Sequence, residues 1–144
     1  MQKFKFKYDA VIRVKEILEK KVLKEISLLD TAIEKLNDRK KSLEEKRKQL
    51  GVNAHGVKIK VLEYKSIKTL ITSLEKEISA IEKKIEDLKL KKEEKKQELY
   101  ARKKEVKILE TLKENQYQEF LSNSNREELK QLNEIAINNF RKVS

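Results

Sequence analysis

Few side chains in this sequence are of kinds that do covalent or acid–base chemistry. There is one histidine, His55, and there is no cysteine. The other candidates are carboxylates and lysines, which are abundant: Asp, Glu, Lys and Arg make up 42% of the 144 residues. A general acid, a general base or a metal site needs two or three such groups converging on one point from a scaffold that fixes them. His55 has no Cys, His or Asp cluster beside it in the sequence and reads as a solvated turn residue. The carboxylates recur three or four residues from lysines, a spacing that pairs opposite charges on a helix surface. No glycine-rich phosphate loop and no nucleophile–base pair is present. The pattern points away from an enzyme and calls for no cofactor and no metal. The chemistry on offer is that of binding, through charge and through apolar contact.

The charge is one-sided. Net charge is +11, with +6 over residues 1–50, +4 over 51–121 and +1 over 122–144. A spread basic excess favours an acidic counterpart, whether nucleic acid, anionic lipid or an acidic protein surface, without choosing among them. Against nucleic acid, the basic residues are interleaved with acids, and no recognition helix or aromatic platform stands out. A basic structural coiled coil that bridges nucleic acid or anionic surfaces is therefore the second reading.

The elements that must present these groups are helices. With only two glycines, no proline and 38% apolar residues, the chain has the composition of a helical rod, not of a globular core. From Lys58 to Phe120, Leu70, Leu74, Ile78, Ile81, Ile85, Leu88, Leu99, Val106, Leu109 and Phe120 recur at compatible three- and four-residue steps. That spacing draws one apolar stripe down a single helix, and a stripe of this length needs a second helix to cover it. The intervening positions Lys92, Lys95 and Arg102 are basic. A similar stripe begins at Val11 and runs through Leu18, Val22, Ile26, Ile33, Leu36 and Leu43 to Leu50. Between them, Gly51 to Gly56 holds both glycines of the chain and an asparagine, residues that tolerate a reversal.

These features predict an all-α fold, an antiparallel two-helix coiled-coil hairpin with a longer second helix. The expected parts are a leader at 1–8, helix 1 at 9–50, a turn at 51–57, helix 2 at 58–121, and a helical tail at 126–142. Ser124 with Glu127, or Asn125 with Glu128, resembles a capping box that would start the tail afresh. A continuous helix with a polar patch is the alternative. A turn centred near Asn53 and Ala54 pairs residues whose numbers add to about 107, setting Leu36 near Ile71 and Val22 near Ile85. The basic block around Lys92 and Lys95 would then lie against Lys15 and loosen the coil. Beyond Arg102 the second helix would overhang the first, leaving Val106, Leu109, Tyr117 and Phe120 for another chain, for a second copy, or for the leader. The leader, Lys-Phe-Lys-Phe-Lys-Tyr-Asp from Lys3 to Asp9, reads either as an extended lead-in or as an aromatic anchor for a partner, with Asp9 as a plausible N-cap. No run approaches the ~18 apolar residues of a membrane span, and no signal-peptide block is present.

Three segments resemble the FliJ family of flagellar type III export proteins. They are Phe-Lys-Phe-Lys-Tyr-Asp-Ala-Val-Ile-Arg-Val-Lys-Glu from Phe4 to Glu16, Leu-Ile-Thr-Ser-Leu-Glu-Lys-Glu-Ile from Leu70 to Ile78, and Glu-Glu-Leu-Lys-Gln-Leu-Asn-Glu-Ile-Ala from Glu127 to Ala136. Where the family's tail carries an acidic pair, this chain has Asn133-Glu134. The resemblance implies a fold like the shaft of rotary ATPase gamma subunits. It also implies a central stalk in the hexameric export ATPase FliI that contacts the export gate protein FlhA and export chaperones and does not itself hydrolyse ATP. On that reading Phe4, Phe6, Arg13, Arg102, Lys103 and Lys104 would meet the ATPase ring, and Leu70 and Leu74 the export gate. Both leucines also fit the seam between the helices. Location would be cytoplasmic, peripheral at the inner face of the inner membrane through the gate.

Overall fold

The computed structural model describes residues 3–56 and 60–143. Two helices account for nearly all of them: α1, Asp9–Gly56, and α2, Val61–Val143. They pack antiparallel as a helical hairpin whose second helix, at 83 residues, is much longer than the first, at 48. The all-α hairpin with a long second arm is the expected fold.

The boundaries differ from expectation. α1 runs through Gly51 to Gly56 instead of ending at Leu50, and α2 starts at Val61. Residue 57 of the expected turn and the side chain of His55 lie outside the described residues. The reason for the longer helix is that a glycine weakens a helix by about 1 kcal/mol without breaking it. Gly51 has an ordinary helical neighbourhood, and no described residue takes a positive φ. The segment Leu-Ser-Asn-Ser-Asn from Leu121 to Asn125 is likewise helical, so the tail continues α2 without a new cap.

The molecule divides into two compact units, a central unit, Lys20–Tyr100, and a terminal unit made of Met1–Glu19 with Ala101–Ser144. In the central unit, Val22, Ile26, Ile33 and Leu43 of α1 and Ile78, Ile81 and Ile85 of α2 are buried. Steps of three, four, seven and ten keep each set on one helical face. Ile33, Leu43, Ile78, Ile81 and Ile85 form one cluster, with Leu36, Leu74 and Leu88 packed against it. In the terminal unit, the non-helical leader precedes α1, and Phe6, Ile12 and Val106 are buried.

Candidate functional site

Cross-helix ion pairs fix the register. In the central unit Lys95 Nζ lies 2.7 Å from Glu25 Oε2, Lys40 Nζ 3.2 Å from Glu82 Oε1, and Arg39 Nη2 2.9 Å from Glu77 Oε1. Lys92 pairs with Asp30. In the terminal unit Lys15 Nζ lies 2.9 Å from Glu105 Oε2, and Lys113 Nζ donates to Asp9 Oδ1 at 2.8 Å. Residue 25 thus stands opposite 95 and residue 15 opposite 105, so that facing numbers add to about 120. The expected sum near 107 is corrected by close to two heptads. The cause is the extension of α1 to Gly56, which moves the reversal later in the chain.

Two further corrections follow. Lys92 and Lys95 do not loosen the coil, because each meets a carboxylate of α1. Their stems pack along the seam while their charged heads reach an opposite charge. Asp9, expected as an N-cap, instead holds Lys113 across the hairpin.

The perturbed acids sit at these crossings. Contact with the Lys95 ammonium holds the Glu25 carboxyl below its ordinary pKa, and partial desolvation opposes the shift. Contact with Lys15 does the same for Glu105, with a smaller push from Arg102. Glu25 and Glu98 together raise Lys95. The facing oxygens of Glu25 and Glu105 are shut off from solvent and accept no hydrogen bond of good angle. Each lies against a lysine head of the other helix, at 2.7 and 2.9 Å, and that close contact outweighs the opposing desolvation.

The residues expected to meet an ATPase ring all belong to the terminal unit, in different roles. Phe6 is buried and Phe4 half-buried. The Phe4 ring lies edge-on to Tyr117 at 5.3 Å and tilted against Phe120 at 5.6 Å, while Phe6 meets Tyr8 edge-on at 5.6 Å. Arg13, Lys103 and Lys104 are exposed. Arg102 is half-buried, 3.7 Å from Glu105. The basic group is thus split between free cations and one occupied in the hairpin.

Most of the expected overhang is covered. Val106 is buried, Leu109 half-buried, and Tyr117 and Phe120 carry the Phe4 ring. Of the three occupants left open by the sequence, the leader takes the place beside Tyr117 and Phe120. The bare part of α2 begins after Phe120. From Asn125 to Lys142 every residue is exposed, including Leu129, Leu132, Ile135 and Phe140.

In the central unit the two candidate gate residues separate. Leu74 packs against the core cluster, whereas Leu70 is 53% exposed. The seam passes through Ile67, Ile71 and Leu74, all half-buried, so Leu70 lies beside it. Val61, Leu62 and Tyr64 are exposed on the same stretch of α2. The partners of the seam lysines and this exposed apolar group went unread in the sequence. A charge at a seam position shows itself only on one strand, and its counter-ion is legible only once the register is known.

The distinctive surfaces of this helical hairpin are exposed cations and bare apolar helix faces, surfaces of the kind that meet other chains. Among the described residues no three His, Cys, Asp or Glu side chains are grouped to hold a metal ion, and no helix is long and apolar enough to cross a membrane. The chain belongs to the FliJ family: it matches the family described as flagellar FliJ protein over residues 4–144. Proteins of this family are not enzymes, and neither is this one. No curated protein and no solved structure matches the chain.

Proposed function

We propose that this chain works in flagellar protein export as the central stalk of the hexameric export ATPase FliI, and links that ring to the export gate protein FlhA and to export chaperones. The observation that carries the reading is the family match over residues 4–144, on a chain that folds as an antiparallel helical hairpin. Arg13, Lys103 and Lys104, exposed in the terminal unit, supply the ring contacts. Screened charge contacts of this kind permit turning without one deep trap. Phe4 and Phe6 serve that surface indirectly, by docking the leader. At the gate, Leu70 makes the contact, and Leu74 supports it from the seam. The chain acts in the cytoplasm, peripheral to the inner membrane through the gate.

FliI ATPase activity, measured with and without the chain, tests the stalk role. Stimulation should require the ring and saturate at one chain per hexamer; no stimulation at any ratio overturns it. Leu70→Asp should abolish capture of the FlhA cytoplasmic domain while circular dichroism stays unchanged. If the chain instead binds DNA with a steep, sequence-independent salt dependence and leaves FliI unaffected, the bridging reading takes its place.

A further inference from the structure

The bare end of α2 has a self-complementary pattern. Asn125, Leu129, Leu132, Ala136 and Asn139 follow one another at alternating four- and three-residue steps, the spacing of a coiled-coil seam. Glu128, Ile135 and Lys142 flank one side of that seam, and Arg126, Asn133 and Phe140 the other. Leu129, Leu132, Ile135 and Phe140 are 60%, 62%, 55% and 77% exposed, so no described part of the chain covers this face. Charge also sets the segment apart. Residues 122–144 carry 4 Lys/Arg and 3 Asp/Glu, a net +1 in a chain of +11. Two copies meeting elsewhere would bring strongly basic surfaces together; two copies meeting here would not.

We propose that this face pairs antiparallel with the same face of a second copy of the chain. The inference goes beyond the stalk reading and does not depend on it. A two-fold axis near Glu134 matches the pattern, since a symmetric contact must be complementary to itself. Leu132 then packs against the partner's Ala136, and Ile135 meets the partner's Ile135 across the axis. Glu128 lies opposite the partner's Lys142, and by symmetry this ion pair is made twice. Among the described residues neither Glu128 nor Lys142 has an ion-pair partner within its own chain. Asn139 falls opposite the partner's Leu129, and an asparagine in a seam weakens a coil while holding its register. A parallel pair would leave Glu128 beside the partner's Asn133 and lose both ion pairs. The contact is small. A single pair of helices of this length falls near or below the ~1,200 Å² at which specific interfaces begin, so the dimer is a weak one.

Sedimentation equilibrium on the full chain, carried to about 0.5 mM, tests the proposal. The expected result is a reversible monomer–dimer equilibrium. Leu132→Asp, which sets a carboxylate in each half of the seam, should weaken it by about a hundredfold or more. Glu128→Lys alone and Lys142→Glu alone should each weaken it by roughly tenfold, and the double exchange should restore it. These variants lie on an exposed face, so circular dichroism of the monomer should not change. A chain that stays monomeric, a dimer indifferent to Leu132→Asp, or charge exchanges without mutual rescue would each overturn the antiparallel pair.

Discussion

Phe4→Ala tests whether the leader is truly docked on α2. Phe4 is half-buried and makes two ring contacts, edge-on to Tyr117 at 5.3 Å and tilted to Phe120 at 5.6 Å. Aromatic pairs of this geometry contribute about 0.5–1.5 kcal/mol each beyond their burial. Losing both should therefore cost the leader about 1–3 kcal/mol of docking free energy, which corresponds to a roughly fivefold to 150-fold rise in its open population. Phe6 is 5% exposed, and Phe6→Ala should cost more, about 3–5 kcal/mol by the usual scale for a buried ring. Neither loss can exceed what holds the leader in place, so the effect saturates once the leader is free. Amide hydrogen exchange reads this directly. The amide of Ile12 donates to the Tyr8 carbonyl at 2.9 Å and that of Asp9 to the Phe6 carbonyl at 3.3 Å, so both report the junction of leader and helix. Their exchange should quicken by at least about fivefold in Phe4→Ala, with the Ile81 and Ile85 amides as internal reference. Exchange at Ile12 and Asp9 within about twofold of the parent would refute the docked leader and would restore Tyr117 and Phe120 as open docking residues.

Leu70→Ala should change stability by less than about 0.5 kcal/mol, because its side chain is exposed, whereas Leu74→Ala should cost about 1–2 kcal/mol from the edge of the core; equal losses in urea melts would put both in the seam. Gly51→Ala should stabilise the chain by about 0.5–1 kcal/mol, since Gly51 is helical and a Cβ there meets nothing within 4 Å; a lower melting temperature would mean that the helix ends before it. The depressed Glu25 and Glu105 contribute stability that is present above their ordinary value of 4.5 and is lost as pH falls through their lower folded values, while the raised Lys95 contributes stability present below 10.5 and lost above it. Thermal melts at low salt should hence be level between about pH 6 and 9 and fall on both sides. Glu25→Gln should flatten the acid side, and an unchanged acid limb in that variant would sink the assignment.

The fold was legible because its cause is local. Apolar residues at three- and four-residue steps on both sides of Gly51–Gly56 leave little but two long helices that cover one another. The register was not, for a reason built into coiled coils: a seam that repeats every seven residues still sets apolar against apolar when slid by whole heptads. What selects one alignment here is Lys95 with Glu25, Lys92 with Asp30, Lys15 with Glu105, and Phe4 against Tyr117 and Phe120. All are pairings between distant parts of the chain. Placing the reversal at Asn53 and Ala54 rested on turn propensity, and in Gly51–Gly56 that propensity lost to the continuing helix. The same error made Val106 look uncovered. Of the candidate docking residues, Arg13, Lys103, Lys104 and Leu70 are exposed, and so is Tyr117 at 39% even with the Phe4 ring against it. Phe6 and Val106 are buried in the hairpin itself, since an apolar residue at seam spacing reads alike whether its cover is internal or borrowed.

The alignment of α1 on α2 decides which surfaces remain for partners, and cross-linking measures it directly. The chain has no cysteine, so an introduced pair reports without background. A short bis-maleimide should close Glu25→Cys with Lys95→Cys within one chain in high yield, because those side chains touch at 2.7 Å. It should leave Glu25→Cys with Glu82→Cys open, because residue 82 lies about 20 Å along α2 from residue 95. Closure of the second pair and not the first would contradict the alignment, and with it the covered seam and the bare tail on which the docking surfaces rest.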